Sequence, residues 1–192
     1  MTRHFETTTV LDTPYAELDY DQATTVICEW SMNFESKTVV VAPVSSLIMR
    51  RRNATLDHAF ENADMITSDG VPIVWMRRLL GRKHPTRLYG PDLMLSVCRA
   101  CEKHSISIGL LGGHDDRMDL LVEALHDKFS LLDISMTQSP PFCELSDSLV
   151  KQIGRAQRAS GCRVLFVGMG CPKQEILMER LRPHTDAVLI GV

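Results

Sequence analysis

Short apolar strands alternate with amphipathic helices along almost the whole chain, and this alternation restricts the fold more than any other feature of the sequence. The run TVVVAP is β-branched from Thr38 to Val41 and reads as a strand buried on both faces, and SSLIMRRRNATLDHAFENAD after it has helical spacing with a break near Asn53. The pattern recurs. MITS reads as a strand and VPIVWMRRLLG as a helix ending at Gly81, then PDLMLSVCRACEKHS as a helix with Pro91 in its first turn. ISIGLLGG reads as a strand and turn, DDRMDLLVEALHDKF as a helix, and LLDISMTQ as a strand. ELSDSLVKQIGRAQRAS, CRVLFVGMG, CPKQEILMERLRP and DAVLIGV continue as helix, strand, helix and strand. Such alternation predicts an α/β fold of three layers, Rossmann-like, with a mostly parallel sheet and helices on both faces.

Ahead of the alternation lies an irregular opening. A first helix is expected over about Asp21 to Met32, with Asp19 or Asp21 as its N-cap. The loop TQSPPFCE, with Pro140 and Pro141, is the segment expected to be most mobile. The last strand stops at Gly191 and Val192, where a loop at the functional edge would ordinarily follow, so the chain is read as one domain that is incomplete at this end.

With 192 residues, 44% of them hydrophobic, one substantial core is expected. A net charge of −3 and a pI near 6.1 provide no basic field for a polyanion, which argues against nucleic acid as partner. No run approaches the ~18 apolar residues of a membrane span, and MTRHFETTT lacks a signal-peptide core, so a cytoplasmic protein is expected. Cys28, Cys98, Cys101, Cys143, Cys162 and Cys171 lie scattered in apolar segments, as reduced thiols do. Cys98 and Cys101 form a CxxC within a helix, without a second pair at zinc-ligand spacing, so buried thiols are expected there and no metal site.

Open α/β sheets bind ligands beyond the carboxyl ends of their strands, which directs attention to APVSS, SDG, GGHDD and GMGCPKQE. Asp69 follows a short strand, and Gly70 lets the chain turn before the next helix. Its carboxylate would serve as a general base toward an attacking hydroxyl, or it would cap the helix beginning near Val71. The turns at Gly112–Gly113 and Gly168–Gly170 precede helices whose free N–H groups suit a nucleotide diphosphate, although for the glycines taken alone a purely structural role is the commoner explanation. Neither turn is a dinucleotide fingerprint or a P-loop, and no G-x-S-x-G elbow is present, which leaves a dehydrogenase or hydrolase unsupported. Arg87, in the link TRLYGPD, would grip a diphosphate or form a surface ion pair. Lys173 and Gln174 open the helix after GMG, where they would face the crevice or solvent. The Arg50–Arg52 run reads as a solvated face.

Together ENADMITSDGVPIVWMRRLLG, RLYGPDLM, IGLLGG and VLFVGMGCPKQE resemble, in order and spacing, the WecG/TagA/CpsF family of bacterial glycosyltransferases, over about Tyr15 to Val192. The G-x-G-x-P-K-Q-E turn is the most specific part of that resemblance. It implies an inverting transfer, without a required metal or other cofactor, from a UDP-hexose or UDP-N-acetylhexosamine to a sugar on a polyprenyl diphosphate carrier at the inner membrane face. Carried over by position, Asp69 matches the proposed catalytic base, Arg87 the arginine of an R-x-x-G element, and Gln174 the glutamine of PKQE. Gly70, Gly112, Gly113, Gly168, Gly170, Lys173 and Ser45 are then candidate substrate contacts.

Two departures stand out. Where many members have Thr-x-Asn after the first core strand, this chain has Ala42, Pro43 and Val44, with Ser45 and Ser46 as the nearest polar groups. Family members also continue into a basic C-terminal segment that this sequence lacks. Bilayer contact is therefore expected to be peripheral. The alternative reading is a nucleotide-sugar-binding remnant without catalysis. Oligomeric state is open, with a homo-oligomer among the possibilities.

Overall fold

The computed structural model describes residues 5–140 and 145–192. Six parallel strands make the main sheet: β3 (Lys37–Ala42), β4 (Met65–Ser68), β5 (Ile108–Gly112), β6 (Ile134–Gln138), β7 (Val164–Gly168) and β8 (Val188–Gly191). Their spatial order is β4-β3-β8-β7-β5-β6. The opening expected to be irregular is instead an antiparallel hairpin of β1 (Thr7–Val10) and β2 (Thr13–Ala16), turned through Leu11 and Asp12 at φ 48° and 62°. Turns with two left-handed residues ordinarily announce themselves by Asn-Gly, which this hairpin lacks. Its anchor is tertiary: Tyr15 is fully buried and its hydroxyl donates to the Ala42 carbonyl at 3.2 Å.

Helix α1 (Tyr20–Met32) begins at Asp19 with a capping box, Asp19 accepting from the Gln22 N–H while Gln22 accepts from that of Asp19. The break expected near Asn53 separates α2 (Val44–Arg50) from α3 (Ala54–Asn62), and the Asn53 side chain caps α3 by accepting from the Leu56 N–H. The remaining helices are α4 (Val71–Leu79), α5 (Gly90–His104), α6 (Asp115–Lys128), α7 (Asp147–Ser160) and α8 (Lys173–Leu181). Of the loop expected to be mobile, residues 141–144 lie outside the described residues, as does Cys143.

Side chains of the strands alternate between two apolar layers, which is why the core strands are apolar at nearly every position. Val39, Val41, Phe166 and Ile190 pack with α1, α5 and α6 on one face. Val40, Val167 and Leu189 pack with α3, α7 and α8 on the other. The chain therefore leaves β5 toward one face and neighbouring β7 toward the other, and a crevice opens between their carboxyl ends.

Candidate functional site

All six main strands run the same way, so every turn that follows a strand lies on one rim. Register shows how level that rim is. Gly112 pairs with Gly168 across β5 and β7, while on the other side of the sheet Ser68 pairs with Ala42 across β4 and β3. Asp69 and the glycine corners thus share an edge. Asp69 follows β4, three strands from β7 and four from β5, a separation of roughly 14–19 Å at the usual interstrand spacing. An extended nucleotide-sugar would bridge that span, whereas a single phosphate group would not. The first turn of α5 lies along the rim between them, close enough that a Cβ on Gly90 would be 3.7 Å from Val192 Cα and from Val41 Cγ1.

Asp69 does not cap α4. The N-cap is Gly70, at φ 90°, and no side chain accepts from the first turn. The Asp69 carboxylate instead meets Arg87, whose Nη2 and Nε lie 3.3 and 3.4 Å from Oδ1. Arg87, 46% exposed, also stacks over the Tyr89 ring at 4.8 Å, and the Tyr89 N–H donates to the Tyr20 hydroxyl at 2.9 Å. Burial, together with the negative charge of nearby Asp92, raises the Tyr20 pKa, so this phenol stays protonated.

Fully buried Arg77 holds the Asp69–Arg87 corner from below. Its Nε and Nη2 donate to the two carboxylate oxygens of Glu17 at 3.0 and 2.7 Å, and Nη1 donates to Ser68 Oγ at 2.6 Å and to the Thr86 carbonyl at 3.1 Å. Ser68 and Thr86 immediately precede Asp69 and Arg87, so a single guanidinium ties together the residues before both, through the Ser68 hydroxyl and the Thr86 carbonyl. Arg77 was not singled out in the sequence, where it stands as one of two adjacent arginines on a helix. Only the fold distinguishes it from exposed Arg78.

At the other end of the rim, Gly112 sits at φ 130°, and a Cβ there would collide with the backbone of Gly168. Close approach at this glycine therefore serves strand packing. Gly113, Gly168 and Gly170 differ, since added Cβ atoms there would meet open space. Beside these corners is a cavity of about 150 Å³ with mainly apolar walls, including Met94, Met118, Leu121 and Phe166, and with Arg117 at its edge. Arg117 is a second cation that sequence reading missed. Its signal was its place in the first turn after a glycine corner.

Gln174 is 6% exposed and committed to the turn that precedes it. Its Oε1 accepts from the Gly170 N–H at 3.0 Å, and its Nε2 donates to Glu175 Oε1 at 3.1 Å. Of the neighbouring serines, Ser45 is exposed and Ser46 is buried. Ser46, Cys171 and Glu175 form a small polar cluster in which hydrogen bonds link the Cys171 thiol to the other two. Burial raises the Glu175 pKa, and its Oε2 is buried without a hydrogen-bond partner among the described residues. Burial likewise lifts the Cys171 pKa to about 11. Lys173 is exposed beside them.

Cys98 and Cys101, both on α5, are buried as expected, and Cys28 and Cys162 are buried as well, while Cys171 is half-buried. Among the described residues no helix is long and apolar enough to cross a membrane. Comparison with known families finds that residues 8–192 match the glycosyl transferase WecG/TagA/CpsF family.

Proposed function

Because the chain belongs to the WecG/TagA/CpsF family, glycosyltransferases of cell-surface polysaccharide synthesis, we propose that it moves a hexose or N-acetylhexosamine from a UDP-sugar to a saccharide carried on a polyprenyl diphosphate. The observation that carries this reading is the Asp69–Arg87 corner, a carboxylate and a guanidinium on the same strand-end rim as the glycine turns.

In the reaction the acceptor hydroxyl oxygen attacks the anomeric carbon as the bond from that carbon to the UDP β-phosphate oxygen breaks. The hydroxyl proton passes to Asp69, and the bonding electron pair leaves on UDP. Attack from the side opposite the leaving group inverts the anomeric configuration. Asp69 acts as general base toward the acceptor hydroxyl, while Arg87 orients its carboxylate and offers N–H groups to a diphosphate. The first-turn N–H groups of α5 and the amide at Gly113 suit the charge that develops on the departing diphosphate. The apolar cavity beside Phe166 and Arg117 suits the nucleoside. Gln174 acts by shaping the Gly170 turn and is a positioning residue in this scheme, and Lys173, Gly70 and Ser45 flank the path of the substrates.

Incubation with radiolabelled UDP-sugars and a lipid-diphosphate acceptor tests the reading. Labelled lipid product is expected, and its formation should fail in an Asp69→Asn variant. UDP binding without turnover by the parent chain would favour the non-catalytic alternative, and an Asp69→Asn variant as fast as the parent would remove the base assignment.

A further inference from the structure

Helix α4 turns Ile73, Val74 and Arg77 inward and leaves Val71, Trp75 and Leu79 outside, at positions i, i+4 and i+8. Side chains four apart stand one above another on a helix, so these three form a stripe about 12 Å long, which Leu80 extends past the helix end. Trp75 is 60% exposed and Leu79 87%. The outward face of a helix in a water-surrounded protein ordinarily carries charged residues, and a contiguous apolar patch marks a surface that meets something. The other tryptophan, Trp30, lies in the core against Phe5.

Charge around the stripe indicates what it meets. Between Asp69 and Asp92 the sequence has five arginines and lysines and no acidic residue, in a chain whose net charge is −3. Arg77, Arg82 and Arg87 are engaged by Glu17, Glu6 and Asp69. Arg78 and Lys83 are exposed and have no acidic partner among the described residues. Tryptophan and leucine on one side with flanking cations is the composition that seats a helix in the headgroup region of an anionic bilayer. A second copy fits less well. A two-fold contact through this stripe would bring the cations of both copies together with no carboxylate from the same segment to offset them.

We propose that the outward face of α4, with Arg78 and Lys83, docks the protein on an anionic lipid surface. Val71 is two residues from Asp69, so docking would bring the rim to the headgroup layer, where a lipid-borne acceptor presents its sugar. This use of the surface rests on the reading of the acceptor given above, but docking itself is tested without any acceptor.

The full chain is mixed with vesicles of phosphatidylglycerol and phosphatidylethanolamine, and separately with phosphatidylcholine vesicles, with no polyprenyl lipid or UDP-sugar present. Expected are co-sedimentation with the anionic vesicles, weakened by salt, and a blue shift of tryptophan emission that a Trp75→Phe variant lacks. Leu79→Glu should lower partitioning by about tenfold or more while leaving the far-UV spectrum unchanged, because the substituted side chain is exposed and a charge there opposes interfacial burial. That variant should still transfer sugar to a water-soluble, short-chain acceptor, which separates loss of docking from loss of activity. Failure of the parent chain to bind anionic vesicles would overturn the proposal, as would equal binding by Leu79→Glu. So would a dimer in sedimentation equilibrium that Leu79→Glu converts to monomer, since a second copy would then own the stripe.

Discussion

Replacing Arg77 by methionine tests whether one buried guanidinium holds the Asp69 corner together. The substitution keeps the length of the side chain and most of its apolar stem, so its effect isolates the charge and its five hydrogen bonds, to Glu17 (two), Ser68, Thr86 and the Ala16 carbonyl. Glu17, only 14% exposed, would be left with Arg82 at 3.7 Å as its nearest remaining cation. Breaking a buried pair from one side costs about 3–5 kcal/mol, and residual pairing with Arg82 puts this case near the lower end, about 3 kcal/mol. With an m-value of about 2 kcal/mol/M, the urea midpoint should fall by about 1.5 M. A double variant, Arg77→Met with Glu17→Leu, should recover at least half of that loss, because no carboxylate is then stranded. An acid titration adds an independent reading. Burial pushes the Glu17 pKa up, but hydrogen bonds from Arg77 and Thr8 and the charges of Arg77 and Arg82 more than offset this, leaving it below the ordinary value of 4.5. The folded pKa is depressed, so the associated stability is present above that value and is lost as pH falls through the folded pKa. Arg77→Met should flatten this acid dependence. A midpoint shift equivalent to less than about 1 kcal/mol, or a double variant no more stable than the single one, would refute the reasoning.

Asp69→Asn should lower kcat for transfer by about 10²–10⁴ while leaving the KM for the UDP-sugar and the melting temperature nearly unchanged, as steady-state kinetics and calorimetry would show. Gly112→Ala should cost about 3 kcal/mol or more in urea unfolding, through collision with Gly168 and backbone strain together, whereas Gly113→Ala, at φ 70° with open space, should cost about 1–2 kcal/mol. Glu175 has its pKa raised by burial, so the folded state holds its proton more tightly. The associated stability is fully present below the ordinary glutamate value of 4.5 and is lost as pH rises through the raised folded pKa. Glu175→Gln should therefore be more stable than the parent at pH 8 and lose that advantage at pH 4, as paired thermal melts would measure.

Much of this protein can be read from local chemistry. Short runs apolar at nearly every position and helical spacing delimit the strands and helices, Asn53 marks the break between α2 and α3, and the turns after strands select Asp69 and the glycine corners as rim residues. These are short-range properties, each determined by neighbours within a few residues. What needed the tertiary structure depends on pairs far apart in sequence. The β1–β2 hairpin is held by Tyr15 reaching Ala42, Asp69 is turned from helix cap to partner of Arg87, and Gln174 is drawn into the Gly170 turn. Arg77 and Arg78 are adjacent arginines with the same local signals, yet one is the buried anchor of the site and the other is exposed beside an apolar stripe. A residue's type sets which interactions it can make. Which of them it makes depends on the direction its helix face points, and packing across the sheet decides that.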